Sequence, residues 1–189
     1  MSFRNKPSFW DSFRTRGEQV LGIQDKLDPT SEMLALSTTG NTKNVLICLI
    51  ELTGPIDTEA MLKAAGLAAE RFPQLTRRIK EIRFRGRYYP VWDTSENLAV
   101  PVFFQKISEF NDNESTLDQI LELLESRLDR DWDLFREPVA EFHLISISKE
   151  RHIAGWLMHH VAGDAATGTD VGQETLAQYH EIRYGEKAA

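Results

Sequence analysis

Val45 to Leu52 reads Val-Leu-Ile-Cys-Leu-Ile-Glu-Leu, an apolar run interrupted only by Glu51. It is too short for a buried helix and rich in β-branched residues, which favours a strand covered on both faces. Gly54 and Pro55 end it. A strand of this kind needs other strands beside it and helices above and below, so it constrains everything that follows. The next segment meets that need. Asp57 is a good N-cap for a helix beginning near Thr58. Met61, Leu62, Ala65, Ala68, Ala69 and Phe72 then fall on one helical face, and Pro73 stops the helix.

The remaining pattern alternates in the same way. Ile79 to Phe84 and Arg87 to Trp92 form a hairpin around Arg85-Gly86, and Val100 to Phe104 is a further strand. Ser115 with Asp118 is a helix start signal close to a capping box, and Leu117, Ile120, Leu121, Leu124 and Leu128 trace a core-facing stripe. Val139 to Ile147 and Ile153 to His159 are strands joined by the polar turn Lys149-Glu150-Arg151. Thr167, Thr169 or Asp170 caps a last helix that runs to about Arg183, with Gly185 beyond its end. Strands and helices intermix, and the hairpins imply an antiparallel or mixed sheet with helices packed on it.

Charge and composition exclude several classes. The chain has 189 residues, enough for one compact domain, and a formal net charge of -7. A field of that sign does not attract phosphate backbones or anionic lipid, so neither nucleic acid nor a membrane surface is an expected partner. Arg77, Arg78, Lys80, Arg83, Arg85 and Arg87 form a local basic cluster; it reads as the exposed faces of the hairpin, with an anion site as the alternative. No window approaches the about 18 apolar residues of a membrane span. The N-terminus lacks the continuous apolar stretch of a signal peptide. Cys48 is the sole cysteine and lies in the apolar run, where a small buried hydrophobe fits. A reduced, cytoplasmic setting is the expectation.

The chemically dense segment is Met158-His159-His160-Val161-Ala162-Gly163-Asp164-Ala165-Ala166. A histidine at a strand end can face a cavity while the strand holds its backbone rigid, and its titration range suits general-base work at neutral pH. Adjacent strand residues point to opposite faces, so only one of His159 and His160 addresses a given pocket. The bland alternative is one histidine buried and hydrogen-bonded and the other on the surface. Metal ligation by His159, His160 and Asp164 with His143, His152 or His180 fits no zinc spacing, because the neighbouring pair diverges on a strand.

His-His-x-x-x-Asp resembles the His-His-x-x-x-Asp-Gly signature of peptide-synthetase condensation domains and CoA-dependent acyltransferases, including chloramphenicol acetyltransferases. Upstream, Trp132-Asp133-Leu134 with Pro138 is similar to that family's Phe-Asp-Leu…Pro segment. Leu52-Thr53-Gly54-Pro55-Ile56-Asp57 with Leu62 and Arg71-Phe72-Pro73-Gln74-Leu75 resembles its Gly-x-x-Asp…Leu…Arg-His-Pro-x-Leu-Arg block. Glu174, Leu176 and Tyr179 fit the helix after the motif. The resemblance covers about residues 28–184.

The resemblance implies one lobe of the acyltransferase fold: an α/β two-layer sandwich with a mixed, largely antiparallel sheet. It implies His160 as general base, His159 as a structural neighbour, and Asp164 as an organiser of the site through a salt bridge. The acyl group would arrive as a thioester on CoA or on a carrier protein's phosphopantetheine arm, with no tightly bound cofactor and no metal. Ala165 stands where the signature has glycine, and its Cβ is expected to crowd the site or alter the turn. Family members carry a second lobe that forms the other wall of the site. The chain therefore divides into an N-terminal segment (1–27), a condensation-like N-terminal lobe (28–185) and a tail (186–189), and reads as a fragment or stand-alone half. Its expected partners are a C-terminal lobe or second subunit and a carrier protein, with self-association through the open face. A non-catalytic relative that binds an acyl thioester or carrier protein, or a plain interaction module, is the competing reading.

Overall fold

The computed structural model describes residues 27–37, 43–84, 86–107 and 115–185. The N-terminal segment up to residue 26, Arg85 and the tail 186–189 lie outside the described residues. In chain order the elements are α1 (Pro29–Ser37), β1 (Val45–Thr53), α2 (Thr58–Glu70), β2 (Ile79–Phe84), β3 (Arg87–Trp92), β4 (Val102–Lys106), α3 (Thr116–Leu128), β5 (Ala140–Ser146), β6 (Arg151–His159) and α4 (Ala165–Tyr184). Short 3-10 turns occupy Pro73–Thr76 and His160–Ala162.

Four strands form one sheet in the order β1-β6-β5-β4, and β2 with β3 forms a separate hairpin. β6 pairs antiparallel with β1 and β5, whereas β4 runs parallel to β5. The sheet is therefore mixed and largely antiparallel, with helices packed on it, as the intermixed pattern implied. The apolar run lies at the sheet edge as β1, so its residues are half-buried rather than sealed in. Both of its faces are nevertheless covered. Cys48 and Ile50 lie under α4, where Cβ atoms at Gly168 and Gly172 would come within 3.2 and 2.8 Å of them. Ile47 and Leu49 pack on the opposite face against Ile120 and Leu124 of α3 with Ile145, Ile153 and Leu157.

The larger core lies between the sheet and α2 with α4. Met61, Ala65 and Ala69 of α2 meet Phe142, Leu144, Trp156 and Met158 of β5 and β6, with Val171 of α4. Burial of each large side chain here contributes about 1.5–3 kcal/mol. The Trp156 indole N–H donates to Thr175 Oγ1 at 3.0 Å, so its polar atom is satisfied inside the core. Asp57 accepts the Ala60 N–H and caps α2 as its position suggested. Its own N–H donates to Tyr179 Oη at 3.1 Å, and its carboxylate pairs with Arg183 at 2.8 Å. Arg71 pairs with Glu174 at 3.1 Å. The two ends of α2 are thus tied to α4, and α4 lies across β1 and β6.

Several local expectations change. α4 starts at Ala165 and is capped by Asp164, not by Thr167, Thr169 or Asp170. Asp164 and Thr167 satisfy each other's backbone N–H groups reciprocally, which none of the later candidates achieves. Gly185 ends that helix in the left-handed conformation, as expected. Ser115 precedes α3 but makes no side-chain cap bond, and Leu117 is exposed while Ile120 and Leu124 carry the buried face. Asp93 takes up much of the basic cluster: its carboxylate bonds Arg78 at 3.2 Å and Lys80 at 3.0 Å. Arg83 lies over the Tyr88 ring. Those hairpin charges serve the hairpin itself.

Candidate functional site

The site forms where β6 ends. His159 is its last residue, opposite Val45 of β1, and its N–H donates to Val139 O at 2.8 Å. The side chain is fully buried. Its Nδ1 accepts the Val161 N–H at 3.1 Å. Nδ1 therefore carries no proton, and the neutral ring holds its hydrogen on Nε2. Burial, with the neighbouring His160 charge as a lesser cause, pushes the His159 pKa down to about 4.

His160 opens the 3-10 turn and is half-buried. Its N–H donates to Asn44 O at 2.6 Å, and its carbonyl accepts the Gly163 N–H at 3.4 Å. Together with the bond from the Val161 N–H to His159, three hydrogen bonds fix the backbone on both sides of the His160 Cα. The imidazole thus projects from a rigid support. The two histidines diverge because one ends the strand and the other begins the turn.

α1 closes on the same turn. Asp28 caps α1 by accepting the Thr30 and Ser31 N–H groups at 2.9 and 3.1 Å. Ser31 Oγ lies 2.5 Å from the Asp28 carboxylate and 3.1 Å from Val161 O. The hydroxyl has one proton for these two acceptors.

Asp164 lies beyond the turn and is exposed. Its Oδ1 accepts the Thr167 N–H at 3.1 Å, and that bond is the leading cause holding its carboxyl below the usual range. Among the described residues it takes part in helix capping and in no ion pair. The turn's unusual conformation falls on Gly163, at φ 156°, where a Cβ would overlap the Thr167 side chain. Ala165 is simply the exposed first residue of α4, where alanine suits the helix, so its Cβ does not alter the turn.

The other histidines lie apart. His143 Nε2 contacts Glu141 Oε1 at 2.9 Å, His152 Nε2 contacts Lys149 O at 3.3 Å, and the His180 ring meets Tyr184 in a tilted contact. Among the described residues no three His, Cys, Asp or Glu side chains come together as metal ligands. Sequence reasoning missed Asn44, Ser31 and Glu141. Asn44 acts through its backbone carbonyl and Ser31 through a hydroxyl that reaches a carbonyl far along the chain, and no spacing reveals either. Glu141 did have a signal, since a carboxylate inside the apolar strand Val139–Ile147 requires buried partners.

No protein-family model matches the chain, and no curated protein matches it. Solved structures do. The first condensation domain of the calcium-dependent antibiotic synthetase, in complex with a substrate analogue, aligns over 87% of this chain and 39% of its own, with TM-score 0.73 and 17% identity. Tallysomycin biosynthesis protein TlmII aligns over 84% of this chain and 38% of its own, with TM-score 0.70 and 19% identity. VibH, a nonribosomal peptide synthetase condensation enzyme, aligns over 85% and 35%, with TM-score 0.62 and 19% identity. This chain has the fold of one lobe of such proteins and spans about two fifths of their length. Among the described residues no helix is long and apolar enough to cross a membrane.

Proposed function

We propose that this chain is one lobe of a condensation-type acyltransferase in which His160 is the general base. The observation that carries the reading is the His160 support: its backbone is bonded on both sides while its side chain stays partly accessible. A general base gains from this rigidity because its geometry is set before substrate arrives. His159 supports the same division of labour. It is buried and neutral, and its Nδ1 is engaged by the backbone, so it serves the turn rather than a substrate.

The reaction is acyl transfer from a CoA or phosphopantetheine thioester, which is substrate rather than resident cofactor. The acceptor's hydroxyl, amine or thiol gives its proton to His160 as it attacks the thioester carbonyl carbon. A new bond to the acyl carbon forms, the carbon–sulfur bond breaks, and the leaving thiolate takes the proton back from the imidazolium. Asp164 and Thr167 hold the start of α4 behind the turn. A C-terminal lobe or a second subunit would complete the other wall, and a carrier protein would deliver the thioester. Exposed Val102 and Phe104 on the outer strand β4 support a missing neighbour. The competing reading is a non-catalytic lobe that binds an acyl thioester or carrier protein.

One experiment separates them. Turnover is measured with a panel of acyl-CoA and carrier-bound thioesters, with a complementing lobe and across protein concentration. A site shared between copies gains specific activity as concentration rises. His160→Ala is expected to lower the rate by roughly 10²–10⁴-fold with little change in melting temperature. Full activity in that variant ends the base assignment. Thioester binding without turnover in the parent selects the non-catalytic reading.

A further inference from the structure

Asn44 is the single non-glycine with positive φ among the described residues, at 45°. It sits immediately before β1, and its carbonyl accepts the His160 N–H at 2.6 Å. The regular β1–β6 register ends one step earlier, at Val45 opposite His159. Asn44 therefore adds one last bond to the ladder, and the chain bends at the residue that makes it. A conformation outside the usual regions, located at the residue that anchors a candidate reactive group, is where strain and function tend to coincide.

We propose that Asn44 is a positioning residue for His160, acting through its backbone. Its left-handed conformation aims the carbonyl at the His160 amide and so sets the direction in which the imidazole leaves the chain. The His160 carbonyl is held by Gly163, and the following peptide by His159 Nδ1. The Asn44 bond is the remaining restraint, on rotation about the His160 N–Cα bond. Asparagine suits the place because it tolerates the left-handed region far better than alanine or a β-branched residue. Lys43, the preceding residue, pairs with Asp131 at 2.7 Å and ties this corner to the segment leading into β5.

The importance of this strut rests on the reading of His160 as the reactive group, but the bond itself is testable without turnover. Amide hydrogen exchange of His160 is measured by NMR on the full chain for the parent, Asn44→Val and Asn44→Gly. Asn44→Ala replaces Asn44→Val if the latter fails to fold. In Asn44→Val the His160 amide is expected to exchange about tenfold faster, while amides in the middle of β6 keep their parent rates. The His160 ring resonances shift with it. Asn44→Gly, which adopts the left-handed region freely, is expected to restore parent protection and shifts. If transfer activity is found, kcat follows the same order with KM little changed. Equal loss in both variants would mean that the asparagine side chain is what matters, and no loss in either would mean that His160 is held without Asn44. Each result overturns the proposal. An inactive parent with the expected exchange pattern would count against the catalytic reading alone.

Discussion

Two histidines are almost completely buried on neighbouring strands, in opposite settings. By register both His143 of β5 and His159 of β6 lie on the α3 face of the sheet. His143 is held by charge. Its Nε2 contacts Glu141, which also accepts two bonds from Arg127 at 3.0 and 2.8 Å and lies 3.3 Å from Arg130. Its ring stacks on Phe103 at 4.8 Å, and the Arg127 guanidinium lies over the Phe103 ring at 4.5 Å. Burial alone raises the Glu141 pKa, but the bonds from His143 and Arg127 and the Arg130 charge outweigh it and hold the carboxyl low. His159 instead takes a backbone N–H into Nδ1, and its burial, with the neighbouring His160 as a lesser cause, disfavours its charged form. The same residue type thus fastens α3 to the sheet in one place and fixes a tight turn in the other. The difference comes from whether the partner is a carboxylate or an amide hydrogen.

The largest expected effect breaks the charged side of this comparison. Glu141→Ala leaves two guanidiniums and an imidazole without their shared acceptor, and urea unfolding should show a loss of about 3–5 kcal/mol. A loss below about 1 kcal/mol would mean that the network is fully hydrated and holds nothing. The next effect sharpens the neutral side. An unfolded His159 takes up its proton near pH 6.5 and the folded one only near 4. Between these values the unfolded state binds more protons, so stability is complete above pH 6.5 and falls as pH drops through the window. The loss is on the order of 3 kcal/mol. In His159→Asn the amide oxygen still accepts the Val161 N–H but does not titrate. Its unfolding free energy should fall less steeply than the parent's from pH 6.5 to 4, and parallel profiles would show that His159 is not the titrating group. The smallest effect tests the packing around His143. Phe103→Leu removes both the ring stack and the Arg127 contact and should cost about 1 kcal/mol in the same unfolding assay.

Much of the fold was legible. β1, α2, the β2–β3 hairpin and the β5–β6 pair follow from apolar periodicity and from Gly, Pro and Asp at their boundaries. The helix cap at Asp164 was misjudged because Thr167, Thr169 and Asp170 are all plausible caps by residue type. Only the turn at Gly163 decides where the helix axis begins. Leu117 falls in the core stripe by spacing, yet it is exposed at the start of α3, where Ile120 and Leu124 are the residues that meet the sheet.

The sequence by itself determined where strands and helices form and that a histidine pair lies at a strand end, because local periodicity and capping depend on neighbours a few residues apart. It also showed which residues could titrate. Tertiary structure alone decided that β1 is an edge strand, that β4 runs parallel to β5, and that Asn44, distant in the chain, bonds to His160. It likewise decided that Asp164 caps α4. These depend on which segments meet in space. Hydrogen bonds between backbones carry no side-chain signature, and a carboxylate's role is set by whichever donors the fold brings to it.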